Sequence, residues 1–311
     1  MWLDCRVSAA DHQHGGRVHV DETGWATATI TVGLSSADLA DLRRLARACL
    51  DCDGGLPMFA AEAMLSARVL RGRATGLRLA DGTLVAAAGI GLRGQEAVTT
   101  GMVDPTMRRR GIGGRLLRWA IEEAGGAALL VETESCSSGA EALYARHGLV
   151  RTFAETVMRH DLEVVPKVGL PAGVRVTPVS SVSEQALFDA YRGSFADRPG
   201  FVEPEAEEWL AELREDDEWR TDLSLIACDE QGAPIGFVNV LGTWLDQVGV
   251  VPAWRSHRLG AFLVAESLRS LKAEQAGEMW LCVNVNNPAG DLYRQLGFTR
   301  YGTRARYFQA K

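Results

Sequence analysis

Val103-Asp-Pro105-Thr-Met-Arg108-Arg-Arg-Gly111-Ile112-Gly113-Gly114 returns 147 residues later as Val250-Val-Pro252-Ala-Trp-Arg255-Ser-His-Arg258-Leu259-Gly260-Ala261. A second pair follows in the same order, Ala140-x-x-Leu143-Tyr144-x-x-x-Gly148-Leu149 and Ala289-x-x-Leu292-Tyr293-x-x-x-Gly297-Phe298, at an offset of 149. Two motifs repeated in order and at nearly one spacing mark an internal duplication of a module of roughly 140 to 150 residues. Each first motif is expected to open a helix: Ile112, Leu116, Ala120 and Ala124 recur every fourth position, and Leu259, Leu263, Ser267, Leu268 and Leu271 keep one face mostly apolar. The expected local geometry is strand, short Arg/Gly-rich turn, amphipathic helix, in both copies.

Outward from the motifs, each copy reads alike: a leading helix (Ala37 to Leu50; Val182 to Tyr191), a second helix, two or three strands, the motif-bearing helix, a strand, a short helix and a final hairpin-like pair. Apolar and β-branched runs predict strands at Thr83 to Ile90, Val98 to Val103, Ala128 to Thr133, Leu223 to Cys228, Ile235 to Val240, Val248 to Val251 and Met279 to Val285. Pro166, Gly169, Pro171 and Gly173 break the periodicity between them. The expected layout is therefore a module over 1–162, a linker over 163–173 and a module over 174–311, of α/β (α+β) class.

The 311 residues, 47% hydrophobic and 23% charged, carry a net charge of −7, which argues against a bulk nucleic-acid binder. Small or cationic ligands fit better. No apolar run approaches the roughly 20 residues of a membrane-spanning helix, and the first sixteen residues lack an apolar signal core, so a cytoplasmic protein is expected. Cys5, Cys49, Cys52, Cys136, Cys228 and Cys282 are scattered and expected to be reduced. Cys49-x-x-Cys52 lacks a second ligand pair, and His12, His14 and His19 sit at a terminus, so no metal site is expected.

The turn Arg108 to Gly114 suits an anion. The first N–H groups of a helix have no intrahelical partner and the helix dipole adds positive charge. Gly111 and Gly113 admit close approach or positive φ, and Arg108, Arg109 and Arg110 add cations. Neither the Gly-Lys-Ser/Thr ending of a Walker loop nor the third glycine of a dinucleotide fold is present. A solvated basic turn is the plain alternative for one such loop alone.

Val103-x-Pro105-x-x-Arg108-x-x-Gly111-x-Gly113, followed by Leu143-Tyr144-x-x-x-Gly148, resembles the GCN5-related N-acetyltransferase superfamily, and so does the second copy. The resemblance covers nearly the whole chain and implies two tandem modules, each a mixed, mostly antiparallel sheet flanked by helices. It implies acetyl-CoA as cofactor, bound at Met102, Val103, Arg108, Arg109, Arg110, Gly111, Ile112, Gly113 and Gly114 in the first copy. In the second copy it implies Val250, Val251, Arg255, Arg258, Leu259, Gly260, Ala261 and Asn286. Two departures stand out: Arg258 replaces the first motif glycine, and Cys136-Ser-Ser-Gly139 stands where the second copy has Asn286. The missing glycine weakens coenzyme binding if that position needs positive φ.

Acyl transfer to an amine needs a neutral nucleophile, a stabilised oxyanion and a proton for the leaving thiolate. The resemblance makes Tyr293, and secondarily Tyr144, the proton donor, and a backbone N–H near Val103 or Val250 the oxyanion donor. A tyrosine on an amphipathic helix is otherwise core filler. Asp246, whose first-copy counterpart is Thr99, is expected two residues before Val248 on one strand face, placed to relay a proton from an ammonium group. A solvated strand-end acid is its plain alternative; Glu132 and Glu134 are weaker candidates. Glu203 to Asp222 holds ten acids against Arg214 and Arg220, a local balance of −8, either drawing a cationic amine or forming a solvated helix face. The expected function is an N-acetyltransferase acting on a small-molecule primary amine, without nucleic-acid or membrane partners; the alternative is a degenerate coenzyme A-binding regulatory or structural protein.

Overall fold

A computed structural model describes residues 29–310, so Cys5, His12, His14 and His19 lie outside the described residues. The strands are β1 (Thr29–Val32), β2 (Arg73–Arg78), β3 (Leu84–Arg93), β4 (Glu96–Val103), β5 (Ala128–Thr133), β6 (Val150–His160), β7 (Arg175–Pro178), β8 (Leu225–Cys228), β9 (Pro234–Leu241), β10 (Trp244–Val250), β11 (Met279–Asn284) and β12 (Thr299–Gln309). The helices are α1 (Leu39–Asp53), α2 (Glu62–Arg68), α3 (Ile112–Glu123), α4 (Ser138–Arg146), α5 (Glu184–Phe195), α6 (Ala206–Arg214), α7 (Leu259–Ala273) and α8 (Ala289–Gln295). The mixed α/β class expected from the sequence is the one observed, and the two copies repeat the same order of elements around their motifs.

The chain divides into two compact units, 29–156 with 301–310, and 157–300. In the first unit the strand order is β1-β2-β3-β4-β5-β12-β6. Strands β1 to β4 are antiparallel neighbours, β4 and β5 are parallel, and β12 is antiparallel to β5 from Ala305↔Thr133 to Gln309↔Leu129. In the second unit β11-β10-β9-β8-β7 repeats the pattern, with β10 and β11 parallel and the other neighbours antiparallel.

One expectation changes here. Each copy ends in one eleven-residue strand, β6 or β12, instead of a hairpin-like pair. The compact units meet at 156/157 and 300/301, within these two strands. The last strand of the second copy lies between β5 and β6, both of the first copy, where its backbone groups complete hydrogen bonding that a missing hairpin strand would leave open.

The motif-bearing helices bury the faces that their periodicity marks. Ile112, Leu117 and Ala120 are buried on α3, and Leu259, Leu263, Ser267, Leu268 and Leu271 on α7. The two motifs of each copy meet at a glycine. A Cβ at Gly113 would stand 3.4 Å from Leu143, and one at Gly260 would stand 3.9 Å from Leu292. The spacing of the motifs along the chain thus records the packing of α3 on α4 and of α7 on α8.

Candidate active site

In each unit two parallel strands begin paired and then part. β4 pairs with β5 from Glu96↔Ala128 to Thr99↔Val131, after which β4 runs on to Val103 without that partner. β10 meets β11 only at Trp244↔Trp280. The backbone beyond each fork, Thr100 to Val103 and Gln247 to Val250, has one edge free to face a ligand.

Beyond the fork comes the anion turn. Arg109 and Gly111 take φ of 64° and 79°, and their counterparts Ser256 and Arg258 both take 65°. The two loops share one backbone path, and Arg258 adopts the left-handed conformation that glycine adopts in the first copy. The first helical N–H groups with partners are those of Arg115, to Gly111 O, and Phe262, to Arg258 O. The N–H groups of Ile112, Gly113 and Gly114, and of Leu259, Gly260 and Ala261, are left to point out of the helix ends, an arrangement that binds phosphate.

Arg108 and Arg255 are also engaged within the protein. Each Nε donates to the carbonyl that closes the preceding strand, Val103 O or Val250 O, at 3.1 Å in both units. The remaining guanidinium nitrogens of Arg108 grip Asp53 at 2.9 and 2.6 Å, and those of Arg255 grip Asp197 at 2.6 and 2.8 Å. Both arginines therefore tie the end of the leading helix to the turn and set its shape. Their carboxylate partners lie 55 and 58 residues away, which hid them from the sequence.

A cavity of about 360 Å³ opens in the first unit between the turn, the free edge of β4, and α4. Its walls include Met102, Val103, Gly111, Gly113 and Tyr144. Its size lies in the range of small-ligand sites, and the free N–H groups sit at one end. These features fit the pantetheine arm and pyrophosphate of coenzyme A. Tyr144 is buried against Tyr307 of β12, ring centroids 4.7 Å apart, and burial raises its phenol well above the ordinary value. In the second unit Tyr293 is buried edge-on to Phe298, and burial pushes its phenol up to about 12. Asn286 is exposed in the turn between β11 and α8, where its N–H donates to Asn284 Oδ1. Ser137 of the first copy instead caps α4, its hydroxyl accepting from Ala140 N–H.

Asp246 follows the fork of the second unit directly. The pairing of β10 with β9 slips between Leu245 and Gln247, so Asp246 is the extra residue of a β-bulge. The slip breaks strand alternation, and the expectation that Asp246 shares a face with Val248 fails at this bulge. Burial, with the nearby Asp216 carboxylate adding to it, pushes Asp246 up to about 6. Thr99, its counterpart, carries no titrating group and donates its hydroxyl to Gly89 O at 2.8 Å.

Glu132 and Glu134 are committed to cations. Glu132 contacts Arg68, Arg71, Arg93 and Arg306, and Glu134 contacts Arg68, Arg304 and Arg306. Burial by itself would raise Glu132, but Arg68, Arg306, Arg71 and Arg93 outweigh it and hold the carboxyl below the usual range. The acids of 203–222 form a solvated face over buried Trp209, Leu210 and Leu213, with Glu207 and Asp222 paired to Arg214 and Arg220. Cys49 is buried and Cys52 exposed, on α1. Among the described residues no helix is long and apolar enough to cross a membrane.

Two family models match the chain, the acetyltransferase (GNAT) family over residues 185–298 and the acetyltransferase (GNAT) domain over 76–150. A mycothiol acetyltransferase of Thermomonospora curvata is 30% identical over 88% of this chain and 95% of its own length. The chain belongs to the GNAT acetyltransferase family. A second mycothiol acetyltransferase, of Geodermatophilus obscurus, is 31% identical over 89% of this chain and 96% of its own. Among solved structures, a GCN5-related N-acetyltransferase from Sphaerobacter thermophilus superposes with a TM-score of 0.71 at 22% identity, covering 91% of this chain and 95% of that one. A tandem GNAT protein from the clavulanic acid biosynthesis pathway superposes at 0.60 and 20% identity, covering 91% and 98%. This GNAT protein is thus an N-acetyltransferase by family, and GNAT acetyltransferases use acetyl-CoA as the acyl donor.

Proposed function

We propose that the second unit transfers an acetyl group from acetyl-CoA to the primary amine of a small molecule, and that the first unit binds the coenzyme without transferring. The observation that carries this reading is the pair Asp246 and Thr99. At matching places beside the two forks, one unit holds a carboxyl raised to about 6 and the other a hydroxyl already donated to a backbone carbonyl. The degenerate alternative then applies to the first unit alone.

When bound, acetyl-CoA supplies a thioester whose acyl carbon accepts the amine and whose sulfur departs as a thiolate. The free N–H groups of Leu259, Gly260 and Ala261 would hold its pyrophosphate, with those of Ile112, Gly113 and Gly114 doing so in the first unit. Asp246, ionised above pH about 6, takes a proton from the incoming ammonium group so that nitrogen can attack. The free backbone edge at Gln247 to Val250 offers N–H groups to the carbonyl oxygen as negative charge develops there. Tyr293, kept protonated by burial, gives its Oη proton to the sulfur. Bond formation from nitrogen to carbon and loss of the carbon–sulfur bond balance with one proton taken and one given.

The relatives' names make an amine acceptor related to mycothiol the first to test. Release of free thiol from acetyl-CoA in the presence of candidate amines is the assay. Amine-dependent release that is lost in Asp246→Asn supports the reading, and release that is indifferent to Asp246 opposes it.

A further inference from the structure

Three buried polar atoms of the second unit have no hydrogen-bond partner among the described residues: Asn239 Nδ2, Gln247 Oε1 and Ser194 Oγ. They belong together. Asn239 and Gln247 face each other across β9 and β10, and Gly249, two residues after Gln247, faces Phe237. That face lies under α5. Phe237 packs against Tyr191 and Phe195, and a Cβ at Gly249 would stand 2.8 Å from Ser194 Oγ. Cross-strand partners hold their Cβ atoms roughly 5 Å apart, so the amides of Asn239 and Gln247 share one small region.

The bulge at Asp246 creates this arrangement. Without the extra residue Gln247 would face Val238 and join the apolar side of the sheet; with it, Gln247 turns to the Asn239 side. Trp219 fixes the Asn239 amide, its indole N–H donating to Oδ1 at 3.2 Å, and so leaves Nδ2 as an unused donor beside the unused acceptor of Gln247. Buried polar atoms without partners are rare in folded proteins because each forfeits its hydration. The first unit does not repeat this trio. The counterparts of Asn239, Gln247 and Ser194 by register and spacing are Gly89, Thr100 and Leu50, and a Cβ at Gly89 would collide with Val69 O at 1.8 Å.

We infer that Asn239, Gln247 and Ser194 form the recognition floor of the acceptor site beside Asp246, with Trp219 bonded to Asn239, and that it receives a neutral group that both donates and accepts, a hydroxyl in the first place. The inference rests on the proposed transfer in the second unit and names the acceptor class, a hydroxylated amine. A donor and an acceptor side by side match one hydroxyl, and the adjacent Asp246 and Asp216 carboxyls match its ammonium neighbour.

The probes are 2-amino-1,3-propanediol and its deoxy analogue isopropylamine, used with the full chain. Two readouts are taken: thiol release from acetyl-CoA, and the side-chain amide NMR signals of Asn239 and Gln247 on titration with each amine. The expected result is that the diol shifts both signals and isopropylamine does not, and that the diol is used at least about tenfold more efficiently. Gln247→Met, which removes an acceptor bonded to nothing in the protein, should abolish that preference, the two amines then being used within about twofold of each other. Asn239→Asp, which keeps the bond to Trp219, should do the same. Signals that move with the diol in a protein releasing no thiol would uphold the recognition floor and overturn the transfer reading. Thiol release with equal use of both amines and unmoved signals would overturn the floor and leave the transfer reading standing. A crystal structure with the diol present but only a water bridging Asn239 and Gln247 would also overturn it.

Discussion

Arg258 takes a φ of 65° where Gly111 takes 79°, each as the last residue before its helix. An L-residue in this conformation carries about 1 kcal/mol of strain that glycine does not. The second turn keeps the backbone path of the first in spite of its sequence.

Arg258→Gly should therefore stabilise the protein by about 0.5–1 kcal/mol, the relief of strain being partly offset by glycine's greater freedom in the unfolded chain. Gly111→Ala should destabilise it by a similar amount, since its Cβ would meet nothing within 4 Å and only the conformation is penalised. Urea denaturation checks both. A loss of stability in Arg258→Gly would mean that the arginine side chain outweighs the strain.

Arg108 and Asp53 join the end of α1 to the anion turn through two charged hydrogen bonds in a partly buried setting. Asp53→Ala should cost about 2–3 kcal/mol and weaken coenzyme binding to the first unit, whose cavity it lines. Isothermal titration with coenzyme A reads the second effect. Affinity unchanged in Asp53→Ala would show that the turn keeps its shape alone.

Much of this was legible in the sequence because it depends on local spacing. The duplication, the strand Ala128–Thr133, the α3 and α7 faces and the two turns all follow from residues within a few positions of one another. What was not legible depends on distant partners or on irregular pairing. β2 carries Arg73, Gly76 and Arg78 and lacks the apolar run that marks a strand, and β7 is four residues long and ends at Pro178. The ties of Arg108 to Asp53 and of Arg255 to Asp197 span more than fifty residues. Alternation placed Asp246 on the wrong face because a bulge leaves no signature in an apolar strand. Asn239, the one amide within the apolar run Ile235 to Val240, was a signal available in the sequence and missed.

The role proposed for Asp246 makes stability and activity move oppositely with pH. Its carboxyl is raised from 3.8 to about 6 on folding, so its contribution is fully present below pH 4 and is lost as pH rises through about 6. Asp246→Asn should be more stable than the parent at pH 8, by about 1–3 kcal/mol, and equal to it near pH 3.5. Its kcat should fall at least about 100-fold, and the parent's rate should climb with pH through about 6. Thermal melts and a pH–rate profile test this, and a parent profile flat between pH 5 and 7 would contradict it.

Glu132 works in the reverse direction. Four arginines hold it ionised, so its stabilisation is present above the ordinary carboxylate range and disappears as pH falls through the lowered folded value. Glu132→Gln should destabilise the protein at pH 7 by about 3 kcal/mol, because the remaining cations lose their buried counter-ion, and the difference should shrink in acid. Guanidinium midpoints at pH 7 and pH 3.5 measure it; equal losses at both would indicate packing in place of charge.

On the proposed reading, one of two similar sites transfers the acetyl group. Tyr293→Phe and Tyr144→Phe, compared by thiol release from acetyl-CoA with an accepted amine, test it most directly. Tyr293→Phe is expected to lower kcat on the order of 100-fold or more while coenzyme binding is kept, and Tyr144→Phe to stay within about twofold of the parent. Loss of turnover in Tyr144→Phe with Tyr293→Phe unaffected would place the transfer in the first unit and contradict the account.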